Sequence, residues 1–255
     1  MPRSSRMFDV VIPLKALAEA KSRLASCLTP LQRRQLVIAM ASDVVDVLSR
    51  WSALGQIRVV AGAGWSIDLL PAQRNLTWVI ETPKAYGVSA KHAAGSLNDA
   101  LEQGVSGCNG RPLLVIHGDL PLLDLSHLKA VEVAIDQGAD AVLAGDRYGQ
   151  GTNMLGVTVA EQATFHFGYR SLAKHMAQMA RAGMSYQQLD SVGLSHDVDT
   201  AADLDHLLTV HRQGGFVGVA TGACLDSWYQ PERRIDELVF SRGLSRSAAW
   251  LGEFA

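Results

Sequence analysis

Three cations and three carboxylates stand out in this sequence by type and spacing. Lys15, Lys21 and Arg23 crowd into PLKALAEAKSR directly after an apolar run, FDVVI, where a simple turn would use glycine, asparagine or proline. Asp119 stands in HGDLP after a second apolar run, and Asp197 and Asp199 stand far downstream in DVDT. Ammonium and guanidinium groups orient a polyphosphate and stabilise the charge that develops on departing pyrophosphate. Pro13 and the small residues Ala16, Ala18, Ala20 and Ser22 let such a loop lie close to a ligand. A solvated charged loop is the plain alternative. Side chains alternate along an extended chain, so Asp197 and Asp199 point to the same side. Helix capping accounts for one carboxylate, with Asp199 or Thr200 opening the helix that DTAADL begins. Magnesium accounts for all three, because it takes a few carboxylate oxygens and recruits phosphate oxygens and water as its other ligands.

These residues need strand ends to hold them. Short β-branched runs alternate with longer amphipathic ones, which predicts an α/β fold with a mainly parallel sheet flanked by helices. The strands are expected at residues 8 to 12, 57 to 61, 77 to 81, 112 to 118, 140 to 145 and 153 to 159, and helices at 92 to 105, 126 to 137, 171 to 182 and 200 to 211. A further helix opens at Thr29 and Pro30 and shows Leu36, Met40, Val44 and Val47 on one face. In such sheets ligands bind beyond the carboxyl ends of the strands. PLKALAEAKSR, HGDLPLL, GDRYGQGTNMLG and SHDVDTAADL all fall there. The sequence has neither a GxGxxG after its first strand nor a GxxxxGK[ST], so side-chain cations must do more of any phosphate binding. AGAG, residues 61 to 64, is a glycine-rich turn and a weak signal.

Composition narrows the partners. A formal charge of -2 and the lack of a long basic block disfavour nucleic acid, while local cationic clusters still suit a small anion. No apolar run approaches the ~20 residues that span a bilayer, and Met1 to Arg6 has no signal-peptide core behind it, so the expectation is a cytoplasmic protein that binds no membrane. Cys27, Cys108 and Cys224 are odd in number and form no CxxC, against a disulfide framework, a zinc site or a nucleophile. The histidines form no HxH or HExxH. Residues 7 to 210 read as one α/β domain and 211 to 255 as an appendage. Trp228, Tyr229, Phe240, Trp250 and Phe254 predict that this appendage packs on its own chain or on a partner, with a homodimer as one form.

PLKALAEAKSRLA, SLNDAL, HGDLPLL, DRYGQGTNML, FGYRSLAKH and DVDTAADL, in this order between residues 8 and 208, resemble the phospho-acid guanylyltransferases of deazaflavin coenzyme F-420 biosynthesis. The resemblance implies a nucleotidyltransferase-like fold of the nucleotide-diphospho-sugar transferase type. It implies GMP transfer from GTP to 2-phospho-L-lactate, phosphoenolpyruvate or 3-phospho-D-glycerate, with magnesium assisting, pyrophosphate leaving and the product passing to the next enzyme. Onto matching motifs it carries Asp119, Asp197 and Asp199 as magnesium ligands, and Thr152, Gly168 and Ser171 as phospho-acid contacts. Pro13, Lys15, Lys21, Arg23 and Asn98 fall on the nucleotide side, with Lys21, Arg23 and Asp119 closest to the chemistry. Ser96 departs from the glycine that the family usually places before Leu97 and Asn98, and PKAYGVSAKH is longer and more cationic than its counterpart.

The nucleophile of such a reaction is a phosphate oxygen already ionised at neutral pH, so no catalytic histidine is required. Gly168 and Ser171 precede and open a predicted helix, whose N-terminus suits an anion, although Ser171 as a simple N-cap is the bland reading. Two other readings stand beside this one. One is a nucleotidyltransferase of similar fold acting on a sugar phosphate or molybdopterin. The other is a non-catalytic nucleotide-binding protein whose appendage docks a partner.

Overall fold

The computed structural model describes residues 6–80, 97–108 and 110–229. The β-branched runs become seven strands of one sheet: β1 (Phe8–Leu14), β2 (Leu54–Ala61), β3 (Leu76–Ile80), β4 (Leu113–Ile116), β5 (Ala141–Gly145), β6 (Thr152–Val157) and β7 (Tyr186–Gln188), in the order β3-β2-β1-β4-β6-β5-β7. Six run the same way, and β6 alone is antiparallel to its neighbours β4 and β5. Strands β4, β5 and β6 are buried at every position, as a sheet covered on both faces requires.

Alternation along β1 sorts the two covering layers. Phe8, Val10 and Ile12 join a cluster with Val44 and Leu48 of helix α1 (Pro30–Ser49) and Leu128 and Val131 of α3 (Leu125–Asp136). Val11 faces the other way, toward Leu101 of α2 (Leu97–Val105) and Leu172 and Met179 of α4 (Ser171–Arg181). Helix α1 begins as its sequence predicts: Thr29 Oγ1 accepts from the Gln32 N–H at 3.3 Å, the Gln32 side chain accepts from the Thr29 N–H at 3.0 Å, and Pro30 follows.

From β1 the chain steps outward to β2 and β3, then returns to lay β4 on the other side of β1. That reversal opens a crevice between the carboxyl ends of β1 and β4, where ligands bind in sheets of this kind. Strand β4 stops at Ile116 rather than at residue 118, which releases His117, Gly118 and Asp119 into the crevice. The run expected at residues 153 to 159 is a strand that begins one residue earlier, ends at Val157 and runs antiparallel; apolar alternation carries no information on direction. Strand β7, short and mostly exposed, shows no periodic pattern in the sequence and is an addition. So is the four-residue helix α5 (Val192–Ser195).

A third apolar cluster lies under the crevice rim. It joins Leu17 and Leu24 of the cationic loop to Leu36 and Met40 of α1, Val198 of DVDT, Leu204 and Leu207 of α6 (Ala201–Arg212), and Leu225 of α7 (Val219–Tyr229). Asp43 on α1 caps α7, accepting from the N–H groups of Ala220 and Thr221, both at 2.8 Å. The chain beyond residue 211 is therefore seated on α1 as far as Trp228, whose ring packs on the same cluster. Phe240, Trp250 and Phe254 lie outside the described residues, as do Ser96 and PKAYGVSAKH. Truncating the fully buried Leu225 to alanine is expected to cost about 3 kcal/mol, in the range for a buried leucine, read as a lower midpoint in chemical denaturation. An unchanged midpoint would show that α7 contributes nothing to the fold. Among the described residues no helix is long and apolar enough to cross a membrane.

Candidate active site

The crevice is a cleft of about 430 Å³. Pro13, Lys15, Lys21, Arg23, Asp119, Thr152, Gly168, Ser171, Asp197 and Asp199 all line it, so the motifs scattered through the sequence converge. Asn98 does not. Its side-chain amide instead clamps the Phe167 main chain, accepting from the Phe167 N–H at 2.9 Å and donating to the Phe167 carbonyl at 3.3 Å.

The cationic loop owes its course to the glycine turn after β2. A Cβ on Gly62 would lie 2.5 Å from the Ala16 nitrogen, so only glycine lets the two loops touch. The Leu17 N–H donates to the Ala63 carbonyl at 2.9 Å, and the Trp65 indole N–H donates to the Lys15 carbonyl at 2.9 Å. AGAGW is thus the seat of the loop, and Trp65 reaches the cleft itself.

The three cations have unlike surroundings. Lys15 and the side chain of Arg23 are exposed at the rim. Lys21 is folded inward with its side chain 7% exposed, and its ammonium bridges Asp119 and Asp199, the latter at 2.6 Å. To reach them its backbone takes the left-handed conformation, φ 56° and ψ 36°. Such a conformation costs a non-glycine residue roughly 1 to 2 kcal/mol. Among the described residues the only other non-glycine with positive φ is Arg170, the residue before the cleft-lining Ser171. Both strained residues border the site, as strain held by surrounding structure tends to do.

Asp119, Asp197 and Asp199 each offer an oxygen, and these lie within 4.8 Å of one another. Burial opposes ionisation of Asp119, but the Lys21 ammonium overrides it and holds the carboxyl below the usual range. Burial also works against the charge on Lys21, and the two aspartates outweigh it, raising the ammonium pKa. Asp197 is pushed up to about 6 by burial first and by the Asp119 charge next, and the Lys21 charge offsets only part of that rise. Asp119 Oδ1 is buried without a hydrogen-bond partner. Three clustered carboxylates, one orphaned buried oxygen and an under-neutralised Asp197 form a hard-oxygen set that fits a divalent cation.

Neighbours that the sequence does not single out fix this trio. Asn153, beside Thr152 on β6, donates to Asp197 Oδ1 at 3.2 Å and to the Leu194 carbonyl at 3.1 Å. Asp203 on α6 accepts from the N–H groups of Asp199 at 3.1 Å and Thr200 at 2.6 Å, and is itself held by Arg147 at 2.9 Å. The N-cap of α6 is Thr200, which leaves Asp199 available to the cleft. Helix α4 departs from the N-cap expectation: the cap is Arg170, which makes no side-chain hydrogen bond, and Ser171 is the first helical residue. The positive end of that helix and the Ser171 hydroxyl thus face the cleft.

A family model described as guanylyl transferase CofC like matches residues 8–216. The chain belongs to this family. Among relatives of the CofC-like chain, a phosphoenolpyruvate guanylyltransferase of Streptomyces coelicolor is 32% identical over 80% of this chain and 91% of its own. One of the same name from Chloroflexus aggregans is 29% identical over 81% of this chain and 99% of its own. A 2-phospho-L-lactate guanylyltransferase of Methanocaldococcus infernus is 28% identical, covering 82% and 87%. Of solved structures, a protein from Desulfovibrio desulfuricans G20 described as a nucleotide-diphospho-sugar transferase superposes with a TM-score of 0.63 at 16% identity, covering 86% and 94%. A 4-diphosphocytidyl-2C-methyl-D-erythritol synthase from Anaerococcus prevotii gives 0.51 at 9% identity, covering 82% and 97%. These likenesses establish the CofC-like chain as a nucleotidyltransferase-type α/β fold.

Burial also keeps histidines neutral around the cleft. It lowers the pKa of His117, which follows β4 into the crevice, and of His196 behind DVDT, and it brings His175 to about 4. A depressed pKa contributes stability above the unfolded value near 6.5 that is lost as pH falls toward the folded value. For His175, 1% exposed, that contribution is on the order of 3 kcal/mol, lost between about pH 6.5 and 4. Denaturation of His175→Gln over this range should show a pH dependence flatter by that amount. Parallel profiles for variant and wild type would remove His175 from the acid response.

Proposed function

We propose that this protein transfers GMP from GTP to a small phospho-acid, 2-phospho-L-lactate, phosphoenolpyruvate or 3-phospho-D-glycerate, releasing pyrophosphate in deazaflavin coenzyme F-420 biosynthesis. One observation carries the reading: a carboxylate trio linked on one side to a cationic rim and on the other to a hydroxyl-lined pocket. Arg23 approaches Asp199 at 4.0 Å, while Asn153, bonded to Asp197, adjoins Thr152. A cation site with an anion pocket on each side is what joining two polyanions requires.

Lys15 and Arg23 hold the triphosphate, with Pro13 letting the loop approach it. Thr152, Gly168 and Ser171 receive the phospho-acid, and Asn98 supports them through the Phe167 main chain. Lys21 neutralises Asp119 and Asp199 and is carried into the reacting region by its strained backbone. Asp119, Asp197 and Asp199 would hold magnesium, which would neutralise phosphate charge as the leaving group departs. An ionised phosphate oxygen of the acid attacks the α-phosphorus, a new P–O bond forms, and the bond to the bridging oxygen of pyrophosphate breaks. No proton must be removed from the nucleophile, which suits a cleft whose histidines are neutral and buried. The protein works in the cytoplasm, residues beyond 211 support a homodimer, and the product passes directly to the next enzyme.

The test combines each phospho-acid with each nucleoside triphosphate and magnesium, reads products by mass spectrometry, and couples the reaction to the next enzyme to trap a labile product. A guanylylated acid and one pyrophosphate per turnover are expected. Guanylylation of a sugar phosphate alone, or nucleotide binding without any turnover, would replace this reading with one of its rivals.

A further inference from the structure

His175 lies on α4, one turn beyond Ser171, and both of its ring nitrogens are engaged. Nε2 faces the His166 backbone N–H at 2.9 Å. An amide N–H can only donate, so Nε2 must offer its lone pair. In a neutral ring the proton then sits on Nδ1, which lies 2.9 Å from Thr152 Oγ1. An imidazolium would set one N–H against another, and burial works against it as well. The Phe167 ring meets the imidazole edge-on at 4.9 Å and fixes its plane.

The consequence falls on Thr152. Its hydroxyl oxygen accepts from His175, so its own hydrogen must turn elsewhere, and Thr152 Oγ1 makes no other hydrogen bond among the described residues. Thr152 lines the cleft and is 1% exposed, so that hydrogen is free to turn into the cleft. Ser171, also 1% exposed and lining the cleft, makes no side-chain hydrogen bond either.

We propose that His175 is a positioning residue that leaves the Thr152 hydroxyl hydrogen free and turned into the cleft, where it donates to a carboxylate or phosphate oxygen of the ligand. The proposal rests on the assignment of this end of the cleft to the phospho-acid. A ring that accepted from Thr152 instead would consume that hydrogen and leave the hydroxyl nothing to donate into the cleft.

Long-range proton–nitrogen NMR of the full-length labelled protein at pH 7 reads the tautomer. A protonated Nδ1 and a bare Nε2 on His175 are expected; the opposite tautomer, or an imidazolium, overturns the proposal. Kinetics then test the coupling, using phosphoenolpyruvate or whichever of the three phospho-acids is turned over. Thr152→Val and His175→Gln should each raise KM for the acid by about tenfold, the loss expected for one hydrogen bond to a charged oxygen, with KM for GTP unmoved. The double variant should be no worse than Thr152→Val, because His175 acts through that hydroxyl. A multiplied effect near a hundredfold would give His175 a separate role and overturn the proposal. If His175→Gln fails to fold by its melting curve, His175→Asn, which keeps an N–H near the Nδ1 position, serves instead and should stay near the wild-type KM; a tenfold rise there counts against the proposal. Should Thr152→Val raise KM for GTP alone, the reading of this pocket falls, and the ligand named here falls with it, whatever the tautomer.

Discussion

Asp197→Asn should move activity and stability in opposite directions. Turnover should fall roughly a thousandfold, at the upper end for removing one preorganised electrostatic group. The metal-free protein should at the same time become more stable near pH 7.5. The Asp197 pKa is raised in the fold to about 6, so its contribution is fully present below the unfolded value near 3.8 and is lost as pH rises through 6. At neutral pH the ionised group therefore costs the metal-free protein roughly 2 to 3 kcal/mol, and asparagine removes that cost while still accepting from Asn153. Denaturation in chelator at pH 4 and at pH 7.5 measures this: the two proteins should coincide at pH 4 and separate at pH 7.5. Asp119→Asn should lose turnover similarly, but without the gain, because its charge is already balanced by Lys21. A folded Asp197→Asn protein that turns over at the wild-type rate would take that residue out of the site.

Lys21→Met is expected to destabilise the metal-free protein by about 3 kcal/mol, the lower end of the range for breaking a buried ion pair, because Asp199 retains solvent. Methionine keeps the apolar stem and removes only the ammonium, so Asp119 and Asp199 are left to repel each other. Millimolar magnesium or manganese should restore most of the loss by supplying the missing charge, and should stabilise the variant more than the wild type. Lys21→Gly should be less destabilised than Lys21→Ala, by about 1 kcal/mol, because glycine adopts φ 56° without strain. Both variants should use GTP poorly. A Lys21→Met protein as stable as wild type in chelator would mean that the ammonium does not hold the carboxylates together.

The residues that the fold gathers into the cleft are those whose position follows from their own strand end. Asp119 follows a buried run, Asp197 and Asp199 share one side of an extended stretch, and the cations follow the first strand; all of them reach the cleft. Six motifs in order carried the family, because a motif keeps its residue spacing whatever the rest of the chain does. Asn98 shows the limit. The family resemblance places it with the nucleotide, while its amide engages the Phe167 main chain, a pairing between residues with no pattern linking them.

Six of the seven strands and five of the seven α-helices among the described residues, with the set of groups able to meet phosphate and a divalent cation, were legible in the sequence because alternation and capping act within a few residues; β7, α5, α7 and the direction of β6 were not. Only the tertiary structure decided what those groups do to one another. Lys21 is nearest in sequence to Arg23 but spends its charge on Asp119 and Asp199; Asn153 and Asp203 orient the carboxylates; Trp65 and Gly62 seat the loop; His175 sets the proton of Thr152. Each of these is a contact across the crevice between β1 and β4 or across its walls. Coulomb energy and hydrogen bonding depend on distances of a few ångströms that only the folded sheet fixes.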